Sequence, residues 1–207
     1  MPKKIASTIL GILLVYGSVA FAIKAGIGVL PVDAAITSVA LLTGMKVGTF
    51  SMLFHGSFFL GQIAIEKRNF RKAELLQILY ITLGGSVLNF FLYTVLANVT
   101  LANYPTRLIV CVLAFAVSAF GCTMVLESHL MRTPMEGCIQ LLAERMGTTM
   151  GRLRQKIDVA LVVVSVAITL LFGVEWTLRE GTIIAALLFG PMMDLCKKVF
   201  FSGREEA

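Results

Sequence analysis

Apolar residues along this chain fall into blocks of about twenty, the length that crosses a bilayer as one helix, and the blocks repeat in the same order. The pattern predicts span A over 6–24, a glycine-rich turn AGIGVL (25–30), and a short helix over 31–43 closed by Gly44. Span B over 48–66, a charged loop EKRNFRKAE (66–74) and span C over 75–97 complete the first series. The polar segment NVTLANYPT (98–106) separates it from a second. There span A′ covers 107–127, the turn ESHLMRT (127–133) leads to Pro134, and a short helix runs to 146. Span B′ starts near 149 with basic residues and is apolar from about 157 to 173, and span C′ covers 182–198. Stretches such as VALVVVSVAITLLFG (159–173) lack the two-residue alternation of a membrane barrel.

The two series superimpose residue by residue. PVDA (31–34) and PMEG (134–137) each place a proline two positions before a carboxylate, at an offset of 103. The same offset lays Gly44 on Gly147, Gly48 on Gly151 and His55 on Asp158. An offset of 105 lays Gly85 on Gly190 and Asn89 on Asp194. The chain therefore reads as two copies of one membrane unit, 1–103 and 104–207, each with three spans and one short helix. A helix of about twelve residues is ~18 Å long and cannot cross a ~30 Å hydrocarbon core unaided, so the short helices are expected to be re-entrant or interfacial.

Charge orients the spans. With the N-terminus inside, the inside segments hold Lys3 and Lys4; Lys67, Arg68, Arg71 and Lys72; Arg132, Arg145, Arg152, Arg154 and Lys156; and Lys197, Lys198 and Arg204. Lys24, Lys46, Arg107 and Arg179 are left outside. This bias favours six spans with both termini cytoplasmic. Three spans per unit is an odd number, so the second unit is inverted relative to the first, an arrangement found in many transporters. The expected fold is an all-α polytopic membrane protein of two inverted three-span repeats.

Composition agrees: 57% of residues are hydrophobic and 14% charged, against about 25% charged in soluble domains, and mean hydropathy is +0.88. The net charge of +6 lies in the loops between spans, which argues for membrane orientation and against nucleic acid. The opening MPKK followed by IASTILGILLVYGSVAFAI has too long an apolar run for a signal peptide and reads as a retained span. Cys111, Cys122, Cys138 and Cys196 show no metal-ligand or disulfide spacing. No GxSxG, HExxH or phosphate-binding loop is present, so neither an enzyme nor a cofactor is expected.

Asp33 and Glu136 are the first candidate contacts for a substrate or ion. Pro31 and Pro134 suit the first turn of a helix, and the carboxylates then sit near its positive end. Thr133 with Glu136 fits a capping box, a purely structural alternative. His55, inside the apolar run SMLFHGSFFL (51–60), is either a proton relay or a neutral ring bonded to a backbone carbonyl. Asp158 lies four residues past Arg154, which suits an ion pair. Asp194 precedes Lys197 and Lys198 and follows the Gly190–Pro191 pair, where a kink is expected. Gly44 with Gly48, and Gly147 with Gly151, have the spacing of close helix packing, within the protein or between protomers of a homo-oligomer. Lys24 and Glu127 end spans A and A′ as snorkelling residues. Arg152, Arg154 and Lys156 suit an anchor at the lipid interface.

The run IKAGIGVLPVDAAITSVALLTGMKVGTFSM (23–52), its echo at 127–151 and the ending GTIIAALLFGPMMDL (181–195) resemble the YczE/YyaS/YitT group of bacterial membrane proteins. The matching residues are Gly26, Gly28, Pro31 and Asp33; Thr43, Gly44 and Gly48; and Gly190, Pro191 and Asp194. The second turn departs from it, with His129 and Met131 at the glycine positions and Glu136 for the aspartate. The resemblance implies a multi-pass bacterial inner-membrane protein and names no cargo. The expected function is a small secondary transporter of a small molecule, with a central site between inverted halves. The alternatives are a passive channel and a membrane scaffold for a partner complex.

Overall fold

Eight helices follow one another in the computed structural model, which describes residues 2–67 and 70–201. They are α1 (Pro2–Ala25), α2 (Pro31–Thr43), α3 (Val47–Glu66), α4 (Leu76–Phe90), α5 (Tyr104–Glu127), α6 (Pro134–Arg145), α7 (Met150–Phe172) and α8 (Glu180–Phe200). A 3-10 turn, Lys72–Leu75, leads into α4, and a π turn, Phe91–Val95, extends it. No strand occurs among the described residues. Arg68, Arg204 and the tail 202–207, counted in the charge pattern, lie outside the described residues.

Local chemistry sets the helix ends. Pro31 and Pro134 open the short helices, where a missing N–H leaves no bond unmade. Gly44 closes α2 in the left-handed conformation, φ 68°, and Gly147 does so after α6, φ 62°. Both glycines precede the following helix. The expected GxxxG faces therefore do not form: Gly44 and Gly147 are helix stops, with nothing within 4 Å of a Cβ at either. α8 runs through Pro191 without interruption.

α1 and α5 pack at the centre. A Cβ on Gly11 would lie 2.8 Å from the Gly121 carbonyl oxygen, and one on Gly121 would lie 2.8 Å from that of Gly11. At the far end of α1, Arg107 at the start of α5 donates to the carbonyls of Ala25 and Gly26. Those two contacts make α1 and α5 antiparallel. α4 packs on α1, and α8 on α5. The short helices cross over: α2 packs on α7, and α6 on α3.

Four helical segments are long and apolar enough to cross a membrane by length and composition: Lys4–Ala25, Leu76–Val95, Tyr104–Glu127 and Met150–Phe172. α2 and α3, bent by 120° at their junction, pass the test together as a fifth. This is fewer than the six spans expected, because α3 qualifies only with α2 and α8 carries Glu180, Asp194, Lys197 and Lys198. The outward faces are apolar, with Leu60, Leu171, Phe172, Ile183 and Leu187 all exposed, as lipid contact requires. Small polar groups turn inward instead: the buried Ser38 and Ser165 and the half-buried Thr177 join three hydroxyls at 2.8–2.9 Å between α2, α7 and the loop before α8.

Candidate functional site

The first turns of α2 and α6 meet at one cavity of about 150 Å3. Asp33 from α2 and Glu136 from α6 line it, with His55 from α3, Tyr16 from α1, Tyr80 from α4, Cys122 from α5 and Arg154 from α7. Three of the residues singled out in the sequence, Asp33, His55 and Glu136, are thus brought together. Asp158 joins through Arg154, whose Nε donates to both carboxylate oxygens at 3.1 Å, the expected i,i+4 pair. Asp194 is not part of the cavity lining. It is exposed and forms no ion pair among the described residues, because Lys197 reaches Glu127 instead, at 3.3 Å.

Several roles differ from those expected. Arg154 is no interfacial anchor: its side chain turns inward, Nη1 lying 3.7 Å from Glu136 Oε1. The capping box at Thr133 does not form; α6 has no side-chain cap, and the Thr133 hydroxyl donates to Glu136 Oε2 at 2.9 Å. Glu127 does not snorkel, being 12% exposed and paired with Lys197. Lys24 donates to the Ala97 carbonyl at 3.3 Å. The sequence reading passed over Tyr16 and Tyr80. Their signal was present, since each is a tyrosine inside a mainly apolar run, LLVYGSV (13–19) and ILYITL (78–83).

The cavity holds unused polar capacity. The buried Tyr16 hydroxyl and His55 Nδ1 have no hydrogen-bond partner, and a buried group left unpaired is costly. The Asp33 carboxylate forms no ion pair or hydrogen bond among the described residues. The rings of Tyr16, His55 and Tyr80 stand at 64–90° to one another, centroids 5.5–6.5 Å apart. The wall between them is aliphatic, with Val15, Val19 and Val125. Asp33 and Glu136 face a single cation, Arg154, among the charged lining residues, so negative charge outnumbers positive here.

Larger recesses lie toward the two ends. One of about 390 Å3 is lined by Gly26, Gly28, Val47, Tyr93 and Trp176. Beside it the 25–30 turn is held by Arg107 and by Arg179, whose Nη1 donates to the Gly26 carbonyl at 2.7 Å. Gly28, φ 119°, lets the chain approach α8 so closely that a Cβ would lie 2.6 Å from the Thr182 nitrogen. The other recess, about 480 Å3, is lined by Glu127, His129, Arg132, Glu136 and Met150, and shares Glu136 and Leu126 with the central cavity. The second turn is held there by Arg132, which reaches the buried Glu74 at 3.2 Å and Glu66 at 3.5 Å. Gln77 links Glu74 to Gln62 at 2.7 and 2.9 Å.

The two ends are not equally closed. At the first, α3 crosses α4 so tightly that a Cβ on Gly48 would overlap the Gly85 carbonyl. At the second, α7 and α8 do not form a packed pair, and nothing lies within 4 Å of a Cβ at Gly151 or Gly190. Arg154 of α7 and Phe189 and Met193 of α8 line the cavity, so this gap borders it.

An all-helical fold with several apolar spans, lipid-like outer faces and polar groups turned inward defines a membrane-embedded protein. The chain belongs to a family of unknown function, DUF6198, whose match covers residues 2–198. No curated protein and no solved structure matches it.

Proposed function

We propose that this protein is a small secondary transporter of the bacterial cell membrane, built of two inverted repeats and working by alternating access. The observation that carries the reading is the cavity at the start of α2 and α6, shut on the α3–α4 side and bordered by a gap on the α7–α8 side. The antiparallel α1 and α5, and the exchange by which α2 packs on α7 while α6 packs on α3, support the inverted repeat. In such folds the site lies at the repeat interface, and the halves take turns in closing it. The end of the 127–133 turn faces the cytoplasm, in keeping with the Lys and Arg bias, so this conformation is the inward-facing one.

Cys122 lines the cavity and supplies a test that needs no known substrate. With Cys111, Cys138 and Cys196 replaced by serine, a membrane-impermeant thiol reagent is applied to either face of proteoliposomes of fixed orientation. Alternating access predicts labelling of Cys122 from both faces over time. Labelling from one face only, under every condition, overturns the reading.

A further inference from the structure

We infer that the central cavity takes a short-chain primary ammonium ion, an inference that rests on the transport reading for its purpose and on the cavity alone for its chemistry. Three polar groups on residues that line the cavity are unspent: the Asp33 carboxylate, and the buried Tyr16 hydroxyl and His55 Nδ1. A carboxylate accepts, a neutral imidazole nitrogen accepts opposite its N–H, and a hydroxyl rotates to accept. An R–NH3+ group brings three donors and no acceptor, which matches this set.

The alternatives fit less well. An anion would need Arg154, whose guanidinium is already held between Asp158 and Glu136. A bound metal would need three or more ligands close enough to share it, and although Asp33, His55, Cys122 and Glu136 line the cavity, no such ligand group is found among the described residues. A quaternary ammonium has no N–H to offer the three acceptors. The steeply inclined rings of Tyr16, Tyr80 and His55 add favourable contact for a desolvated cation. Size sets the chain length. A cavity of about 150 Å3 holds a ligand of about six heavy atoms, benzene being the reference case. The valine-rich wall receives the alkyl part. An ion from methylammonium to pentylammonium fits.

The experiment is titration of the purified protein in detergent or nanodiscs with methylammonium and butylammonium, followed by calorimetry and by thermal unfolding. Butylammonium should bind and raise the melting temperature in proportion to its occupancy. Tetramethylammonium, 1-pentanol and butyrate, which lack the N–H donors or the charge, should not. Asp33→Asn should weaken butylammonium about ten-fold or more, the effect of losing one hydrogen bond to a charged group. Tyr16→Phe removes one oxygen and nothing else, and should weaken it with the fold retained. Equal binding of tetramethylammonium, pentanol or butyrate overturns the inference, as does unchanged affinity in both variants. If no amine binds while Cys122 is still labelled from both faces, the ligand class is wrong and the transport reading stands. If butylammonium binds and Cys122 is labelled from one face only, the site stands and transport falls.

Discussion

Asn89 Oδ1 accepts a hydrogen bond from the Gly48 backbone nitrogen at 2.8 Å, and its Nδ2 donates to the Thr49 hydroxyl at 3.0 Å. One side chain thereby caps the start of α3 from the flank of α4. The crossing depends on two glycines: a Cβ on Gly85 would lie 2.5 Å from the Gly48 oxygen. Replacing Gly48 or Gly85 with alanine forces the helices apart and should cost about 1–3 kcal/mol, the usual range for overpacking. The equivalent Gly151→Ala and Gly190→Ala meet nothing and should stay within about 0.5 kcal/mol. Thermal unfolding of the four variants in one detergent measures the contrast. Equal losses in both pairs would mean that α7 and α8 are packed together.

The same correspondence predicts the second state. Thr49 and Asn89 have Arg152 and Asp194 as their equivalents in the second repeat. The transport reading predicts an outward-facing conformation in which α7 closes on α8, with Asp194 capping Gly151 and pairing with Arg152. Thr49→Cys/Asn89→Cys should form a disulfide under mild oxidation, as the two side chains meet across the α3–α4 crossing. Arg152→Cys/Asp194→Cys should cross-link too, more slowly, in membranes from cells. Each lock should confine labelling of Cys122 to one face. A second pair that never cross-links, beside a first that does, would leave the α7–α8 gap permanent.

Where the backbone alone decides, the chain was readable in advance. Apolar blocks, Pro31, Pro134, Gly44 and Gly147 placed all eight helices to within a few residues, because spans and helix stops are local features. The cavity was half readable. Asp33, Glu136 and His55 stood out as charged or titratable groups in apolar surroundings, but Tyr16 and Tyr80 passed for ordinary span residues. Arg154 was misplaced for a physical reason. A charge near a helix start suits the interface equally well, and only the α6–α7 packing shows that it turns toward Glu136. The GxxxG reading failed similarly, since spacing does not reveal that the first glycine lies outside the helix.

Arg132 joins two halves through a buried acid. Glu74 is 4% exposed at its side chain and is satisfied by Arg132 and Gln77. Arg132→Met leaves that carboxylate without a cation. Removing one partner of a fully buried pair costs several kcal/mol. Arg132 is 31% exposed, so water reaches the gap, and a loss of about 2 kcal/mol is expected. Glu74→Gln in the Arg132→Met background should recover part of it, because the amide needs no counter-charge. A double-mutant cycle by thermal unfolding reads the coupling, and additive losses would refute it.

Arg107 shows why a cation stands at the start of α5. Its Nε and Nη2 fork onto the carbonyls of Ala25 and Gly26, which closes the end of α1. A lysine has the charge without the fork. Arg107→Lys should therefore destabilise by about 2 kcal/mol, near the value of one charge-assisted bond. Preserved stability would show that charge alone holds the turn.

The three cavity residues should differ in their effect on uptake of labelled methylammonium into proteoliposomes. Asp33 has no competing partner, so Asp33→Asn removes the charge that meets the cation and should lower uptake about ten-fold or more. His55→Ala removes an unpaired acceptor and one ring of the three, and should lower it less. Glu136 already receives the Thr133 hydroxyl and lies against Arg154, so Glu136→Gln should perturb Arg154 first and the ligand second. The expected order of loss is Asp33, His55, Glu136, with melting temperatures close to the parent protein for Asp33→Asn and Glu136→Gln and lower for His55→Ala, which deletes a packed ring. A loss in Glu136→Gln exceeding that in Asp33→Asn would move the binding charge to α6, and uptake unchanged in all three would remove the cavity from the transport path.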